Sequence, residues 1–122
     1  MVDDSMLIRY TVCSFLERRG FSVESAANGA EALEIVNRVR PSLIVTDMAM
    51  PKMGGSELIS ALKSKPETAE VPIIIVASKA AGSEQSETRA NFAIYKDIDI
   101  DAQLAQALDA VLSKAEQSPR EN

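Results

Sequence analysis

Residues Leu43-Ile44-Val45-Thr46-Asp47-Met48-Ala49-Met50-Pro51-Lys52-Met53-Gly54-Gly55 pass from a short branched run to a carboxylate and then to a turn-forming stretch. The run Leu43 to Thr46 is too short for a helix and rich in branched side chains, which is the composition of a strand buried on both faces. Pro41 bounds it on the amino side, and Pro51 with Gly54-Gly55 bounds it on the carboxyl side. Asp47 therefore ends a buried strand. In open α/β sheets, polar sites gather at the carboxyl ends of such strands.

Working outward, helical and strand-like segments alternate. Ser5 to Arg19 carries Ile8, Val12, Phe15 and Leu16 at helical spacing, and Gly20 follows where a left-handed cap would sit. Phe21 to Ala26 alternates Phe21 and Val23 with Ser22 and Glu24 and is expected as a strand, after which Asn28-Gly29 turns the chain into a helix carrying Ala32, Leu33 and Val36. Beyond Gly55, Leu58, Ile59 and Leu62 mark a third helix, and Pro66 and Pro72 bracket a polar loop. Ile73-Ile74-Ile75-Val76 is a second fully buried strand. Gly82 to Ala90 has Ala90 as its only apolar side chain, so a helix there would be short and weakly held. Phe92 to Tyr95 makes the last strand, and Leu104, Leu108, Val111 and Leu112 stripe the last helix. Residues 1–116 read as one domain and 117–122 as a frayed C-terminal tail. Strands alternating with helices imply right-handed crossovers and a doubly wound α/β fold with a parallel sheet.

Composition narrows the chemistry. The 122 residues have 46% apolar and 25% charged side chains, the balance of one globular domain. No apolar stretch approaches the roughly 20 residues of a membrane span, so no membrane partner is expected and the cytoplasm is the expected location. A net charge of -5 disfavours direct binding to nucleic acid. Cys13 is the only cysteine, which leaves no intrachain disulfide, and its bland reading is a helix residue at the core edge. The absence of histidine excludes Ser-His-Asp and Cys-His catalysis and leaves carboxylates as the natural ligands, which favour a hard cation such as Mg²⁺.

Asp3, Asp4 and Asp47 at one rim would repel one another unless a divalent cation or a lysine neutralised them, and Lys96 ends the last strand. The bland alternative makes Asp47 a polar strand end, Lys96 a solvated charge and Asp3-Asp4 a helix cap. Residue spacing alone balances these two readings about evenly.

Val2-Asp3-Asp4-Ser5 and Thr46-Asp47-Met48-Ala49-Met50-Pro51-Lys52-Met53-Gly54-Gly55 resemble the receiver-domain signature of two-component response regulators, the chemotaxis regulators among them. Pro72 to Val76, and Tyr95-Lys96 followed by Ile98-Asp99, extend the resemblance over nearly the whole chain. It implies a five-stranded sheet in the flavodoxin-like order 2-1-3-4-5. It also implies Asp47 as phosphoacceptor, Asp3, Asp4, Asp47 and the Ala49 backbone carbonyl as Mg²⁺ ligands, and Lys96 as the cation on the phosphoryl group. The implied partners are a histidine kinase or phosphotransfer protein and a downstream protein target. The domain would be a signalling module that catalyses its own phosphorylation and slow dephosphorylation, not an enzyme acting on a separate substrate.

Several positions depart from that pattern. Ala77 stands where such domains carry a hydroxyl, and Ser78 offers one a residue later, on the opposite face unless the strand bulges. The spacing from Ala77 to Lys96 is short by about one helical turn. Ala93 occupies the aromatic switch position, where Tyr95 on the same face could substitute. Asp97 replaces the proline after the lysine. Only Met1 and Val2 precede Asp3, so the first strand reads as truncated: either upstream residues were lost from this chain or another molecule fills the gap, as a homodimer or strand swap would. These departures motivate a second reading, a degenerate receiver acting as an interaction module without the usual phospho-switch. A hydrolase or cofactor binder ranks last, since no Gly-rich phosphate loop is present.

Overall fold

Strands β1 (Ile44–Asp47) and β2 (Ile73–Ala77) are buried along their whole length, as runs of branched side chains covered on both faces must be. The computed structural model describes residues 1–48, 53–77, 91–95 and 99–116, with side chains to Val111 in the last stretch. β1 pairs parallel with β2, Ile44 opposite Ile73 and Asp47 opposite Val76. β2 pairs parallel with β3 (Phe92–Tyr95), Ile74 opposite Phe92 and Ala77 opposite Tyr95. The sheet order is β1-β2-β3.

Alternation along the strands divides the core between two layers. Ile44, Ile73, Ile75 and Ala77 join Ala32 and Val36 of α2 (Gly29–Arg38) and Leu58, Ile59 and Leu62 of α3 (Gly55–Lys63). Val45, Ile74, Val76 and Ile94 join Val12, Phe15 and Leu16 of α1 (Met6–Arg18) and Leu104, Ala107, Leu108 and Val111 of α5 (Ile100–Glu116). Helices thus cover both faces of a parallel sheet, the doubly wound arrangement. Among the described residues, no helix is long and apolar enough to cross a membrane.

The front of the chain is tied in by Met1 to Asp3, with Val2 bridged on both sides. Val2 forms parallel bridges to both Ala26 and Thr46. It donates to Val45 O at 2.8 Å and accepts from Asp47 N at 2.7 Å, while Met1 O accepts from Ala26 N and Ala26 O from Asp3 N. The expected strand from Phe21 to Ala26 is corrected by the structure, since only Ala26 is bridged. A ladder needs a neighbour, and Val2 supplies one residue of it. An apolar cleft of about 120 Å³ opens beside it, lined by Phe21, Val23, Leu43, Val45, Ile35 and Leu58 among others.

The loop between the two prolines is also corrected, because it contains a short helix, α4 (Pro66–Ala69). Thr68 anchors it by donating its buried hydroxyl to Leu62 O. Gly20 has φ +95°, which fits the cap expected after α1. The segment Gly82 to Ala90 and the tail 117–122 lie outside the described residues.

Two glycines set how closely the helices approach the carboxyl end of β1. Gly55 N donates to Met48 O at 3.0 Å, and a Cβ there would collide with Asp47 O and the Met48 backbone. Gly29 N donates to Met53 O at 3.1 Å, and a Cβ would meet Met53 within 2.9 Å.

Leu58 is fully buried, so Leu58→Ala leaves a cavity and is expected to cost about 2–5 kcal/mol, read as a lower urea midpoint at unchanged slope. Gly55→Ala is expected to cost about 1–3 kcal/mol from forced backbone movement. A midpoint unaltered by Gly55→Ala would show that the contact at Asp47 relaxes freely.

Candidate acidic site at the carboxyl end of the sheet

Asp47 reaches the site because β1 ends there, and Asp3 because Val2 is bridged beside Thr46. Asp47 Oδ1 accepts from Met48 N at 2.8 Å, which orients the carboxylate at the strand end. Thr46 Oγ1 donates to Asp47 O at 2.9 Å, and with Gly55 packed on that same carbonyl the backbone is held from two sides. Asp3 Oδ1 accepts from Ser5 N at 2.8 Å, while Arg9 Nη1 donates to Asp3 O at 2.7 Å from the first turn of α1.

The helix-cap alternative for Asp3-Asp4 fails on these contacts. The N-cap of α1 is Ser5, whose hydroxyl accepts from Ile8 N at 3.3 Å. The two aspartates are thereby left to the rim. One carboxylate oxygen each from Asp3, Asp4 and Asp47 lies within 4.8 Å of the other two. Asp3 is fully buried and Asp47 is 3% exposed, whereas Asp4 faces solvent. Full charges on Asp3 and Asp47 at such a separation repel by roughly 3 kcal/mol in an effective dielectric of about 20. The arrangement is therefore suited to holding a cation. All its side-chain donors are carboxylate oxygens, the set a hard divalent ion takes.

Ala77 closes β2, is 1% exposed and packs with Ile73 and Ile75 on the α2/α3 face. Tyr95 closes β3, half-buried opposite Ala77. Ala49, Ser78, Lys96 and Asp97 fall outside the described residues. Cys13 is half-buried on α1, where burial pushes its thiol pKa up, in keeping with the bland reading.

Sequence reasoning missed the supports around the site. Asn28 is the N-cap of α2, its side chain accepting from Glu31 N at 3.0 Å while Glu31 accepts from Ala27 N at 2.9 Å. Gly54 N donates to Glu57 Oε1 at 3.0 Å at the head of α3. An acidic residue three places after each cap, at Glu31 and Glu57, was the available signal. Arg9 had no such signal.

The family described as "Response regulator receiver domain" matches residues 1–109. A gliding motility regulatory protein of Myxococcus xanthus is 40% identical over 85 residues, which is 70% of this chain and 11% of that protein. The response regulator MprA of Mycobacterium leprae is 37% identical over 84 residues, 69% of this chain and 36% of that protein. The chain thus spans about a third or less of these two curated relatives. Among solved structures, the signal receiver domain of a histidine kinase from Syntrophus aciditrophicus matches with TM-score 0.83 and 28% identity, over 99% of this chain and 93% of that one. A chemotaxis protein of Vibrio cholerae matches with TM-score 0.78 and 31% identity, over 90% and 93%. The rim of carboxylates, the two-layered parallel sheet and these matches coincide over the same residues, and the chain belongs to the response regulator receiver domains of two-component signalling.

Proposed function

We propose that Asp47 accepts a phosphoryl group from the phosphohistidine of a histidine kinase or phosphotransfer protein, with Mg²⁺ held at the acidic cluster, and that the signal passes to a downstream protein through the domain's surface. The observation that carries this reading is the convergence of Asp3, Asp4 and Asp47 within 4.8 Å at the carboxyl end of β1. The oxygen-only donor set fits the cation, and Asp3, Asp4, Asp47 and the Ala49 carbonyl would hold it. When bound, Mg²⁺ supplies positive charge that offsets the carboxylates and the phosphoryl oxygens.

The chain's own contribution is position and charge. An Asp47 carboxylate oxygen attacks phosphorus, a P–O bond forms, the donor's P–N bond breaks, and its electron pair returns to the imidazole. Met48 N–H fixes the carboxylate's orientation. Lys96 supplies the second cation on the transferred group, and Ser78 is the nearest hydroxyl in sequence to the end of β2. The bridges of Val2 to Ala26 and to Thr46 support reading the full strand order as 2-1-3-4-5. A net charge of -5 supports protein partners over direct nucleic-acid contact. Exposed Met6, Leu7 and Tyr10 lie on α1 immediately after Asp4 and offer an apolar rim to a partner that reaches the cluster.

The second reading, an interaction module without the usual switch, draws support from Ala77, a buried methyl at the end of β2. Incubation with phosphoramidate and Mg²⁺ separates the two. The expected result is a mass gain of one phosphoryl group on Asp47, absent in Asp47→Asn, with amide shifts between Ala77 and Tyr95. No gain sinks the phosphoacceptor reading, and a gain without those shifts favours the module.

Cation binding is testable by itself. Because it favours only the folded state, Mg²⁺ at about 100 times its Kd is expected to add about 2.7 kcal/mol to stability. The thermal unfolding midpoint should rise saturably with Mg²⁺ in the native sequence and stay flat in Asp3→Ala. A flat response in both proteins would refute the cation site.

A further inference from the structure

The carbonyl of Asp3 belongs to the peptide unit that joins Asp3 to Asp4, two of the three carboxylates of the rim. Arg9 Nη1 donates to it at 2.7 Å, and a hydrogen bond from a charged guanidinium is among the stronger ones open to a backbone carbonyl. Arg9 is half-buried, and its own backbone N donates to Ser5 O at 3.0 Å at the head of α1. The side chain thus reaches from a fixed helical turn back to the residue that leads into the helix.

On its other side Asp3 is held by the sheet and the cap. Its N–H donates to Ala26 O at 3.1 Å, and its Oδ1 accepts from Ser5 N at 2.8 Å. Asp4 faces solvent, and its place in the cluster follows from the chain on either side of it. After it stands the Ser5 cap of α1, and before it the peptide unit that Arg9 holds. A carbonyl fixed in direction fixes the plane of its peptide unit, and with it the direction in which Asp4 leaves the end of the sheet.

Charge alone would give Arg9 the opposite role. A guanidinium beside a cation site repels the cation, so its removal should tighten binding, whereas loss of a restraint on the ligands should loosen it. The sign of the change separates the two effects.

We infer that Arg9 is a positioning residue for cation binding at the rim, acting through the Asp3 carbonyl to hold Asp3 and Asp4 where they converge with Asp47. The inference rests on the Mg²⁺ reading above. Removing groups that orient metal ligands typically costs about 10–100-fold in affinity, and for a restraint on the main chain the lower end of that range is expected.

Mg²⁺ titration of the whole chain, followed isothermally well below the unfolding midpoint, gives the Kd of the folded protein, and thermal unfolding without Mg²⁺ gives stability separately. Arg9→Met is expected to bind Mg²⁺ about ten-fold more weakly. Arg18→Met removes the same charge from the far end of α1, where Arg18 is exposed beside Asp101, and is expected to keep the native Kd. A Kd in Arg9→Met that equals the native one or is tighter overturns the inference, even where the unfolding midpoint falls, and leaves the Mg²⁺ reading standing. So does an equal loss in Arg18→Met. A native chain that takes up no Mg²⁺ overturns both. Arg9→Gln covers the case in which methionine unfolds the domain. Its amide is uncharged and shorter in reach than the guanidinium, so the same loss is expected, and a native Kd in that variant overturns the inference in the same way.

Discussion

Parallel pairing of β1 with β2, both buried on both faces, is the constraint on which the remaining architecture depends. Such strands cannot be joined by a tight turn, so α3 and α4 must intervene, and covering the other face requires α1 and α5. With both faces occupied by side chains such as Ile44, Val45, Ile73 and Ile74, charge finds room only at a strand end. Asp47 is that charge, and the glycine at position 55 lets α3 begin against its carbonyl. The site is thus a consequence of how the sheet is closed off.

Much of this was legible in the sequence because the signals were strong and local. The branched runs at Leu43 and Ile73 fixed two strands, and the spacing of Ile8, Val12, Phe15 and Leu16 fixed α1. Asp3, Asp4 and Asp47 were legible as a rim because each adjoins an apolar segment. What escaped depended on partners distant in sequence. Phe21 to Ala26 has a strand's alternation, yet its pairing is limited by the single residue Val2 opposite. α4 has no apolar stripe and depends on Thr68 reaching Leu62.

The site also shows how backbone groups share the labour with carboxylates. Met48 gives its N–H to Asp47 and its carbonyl to Gly55, while Met53 gives its carbonyl to Gly29. Met48 and Met53 are thereby fastened to the first residues of α3 and α2, two helices on the same face. If Asp47 accepts a phosphoryl group, as proposed above, its carboxylate must stay fixed while its surroundings take up a new charge. These main-chain contacts provide that fixity without adding further charge of their own.

Val2 has a consequence of another kind. It is the one bridged residue joining the segment that ends at Ala26 to β1, and it is bonded directly to Asp3 through the chain. The seam of the sheet and the acidic rim are therefore adjacent along the backbone. Local opening at this seam would separate Asp3 from Asp47, and whatever draws those two carboxylates together would also hold the seam closed. A cation taken up at the rim, as proposed above, would therefore also protect the first backbone amides against exchange.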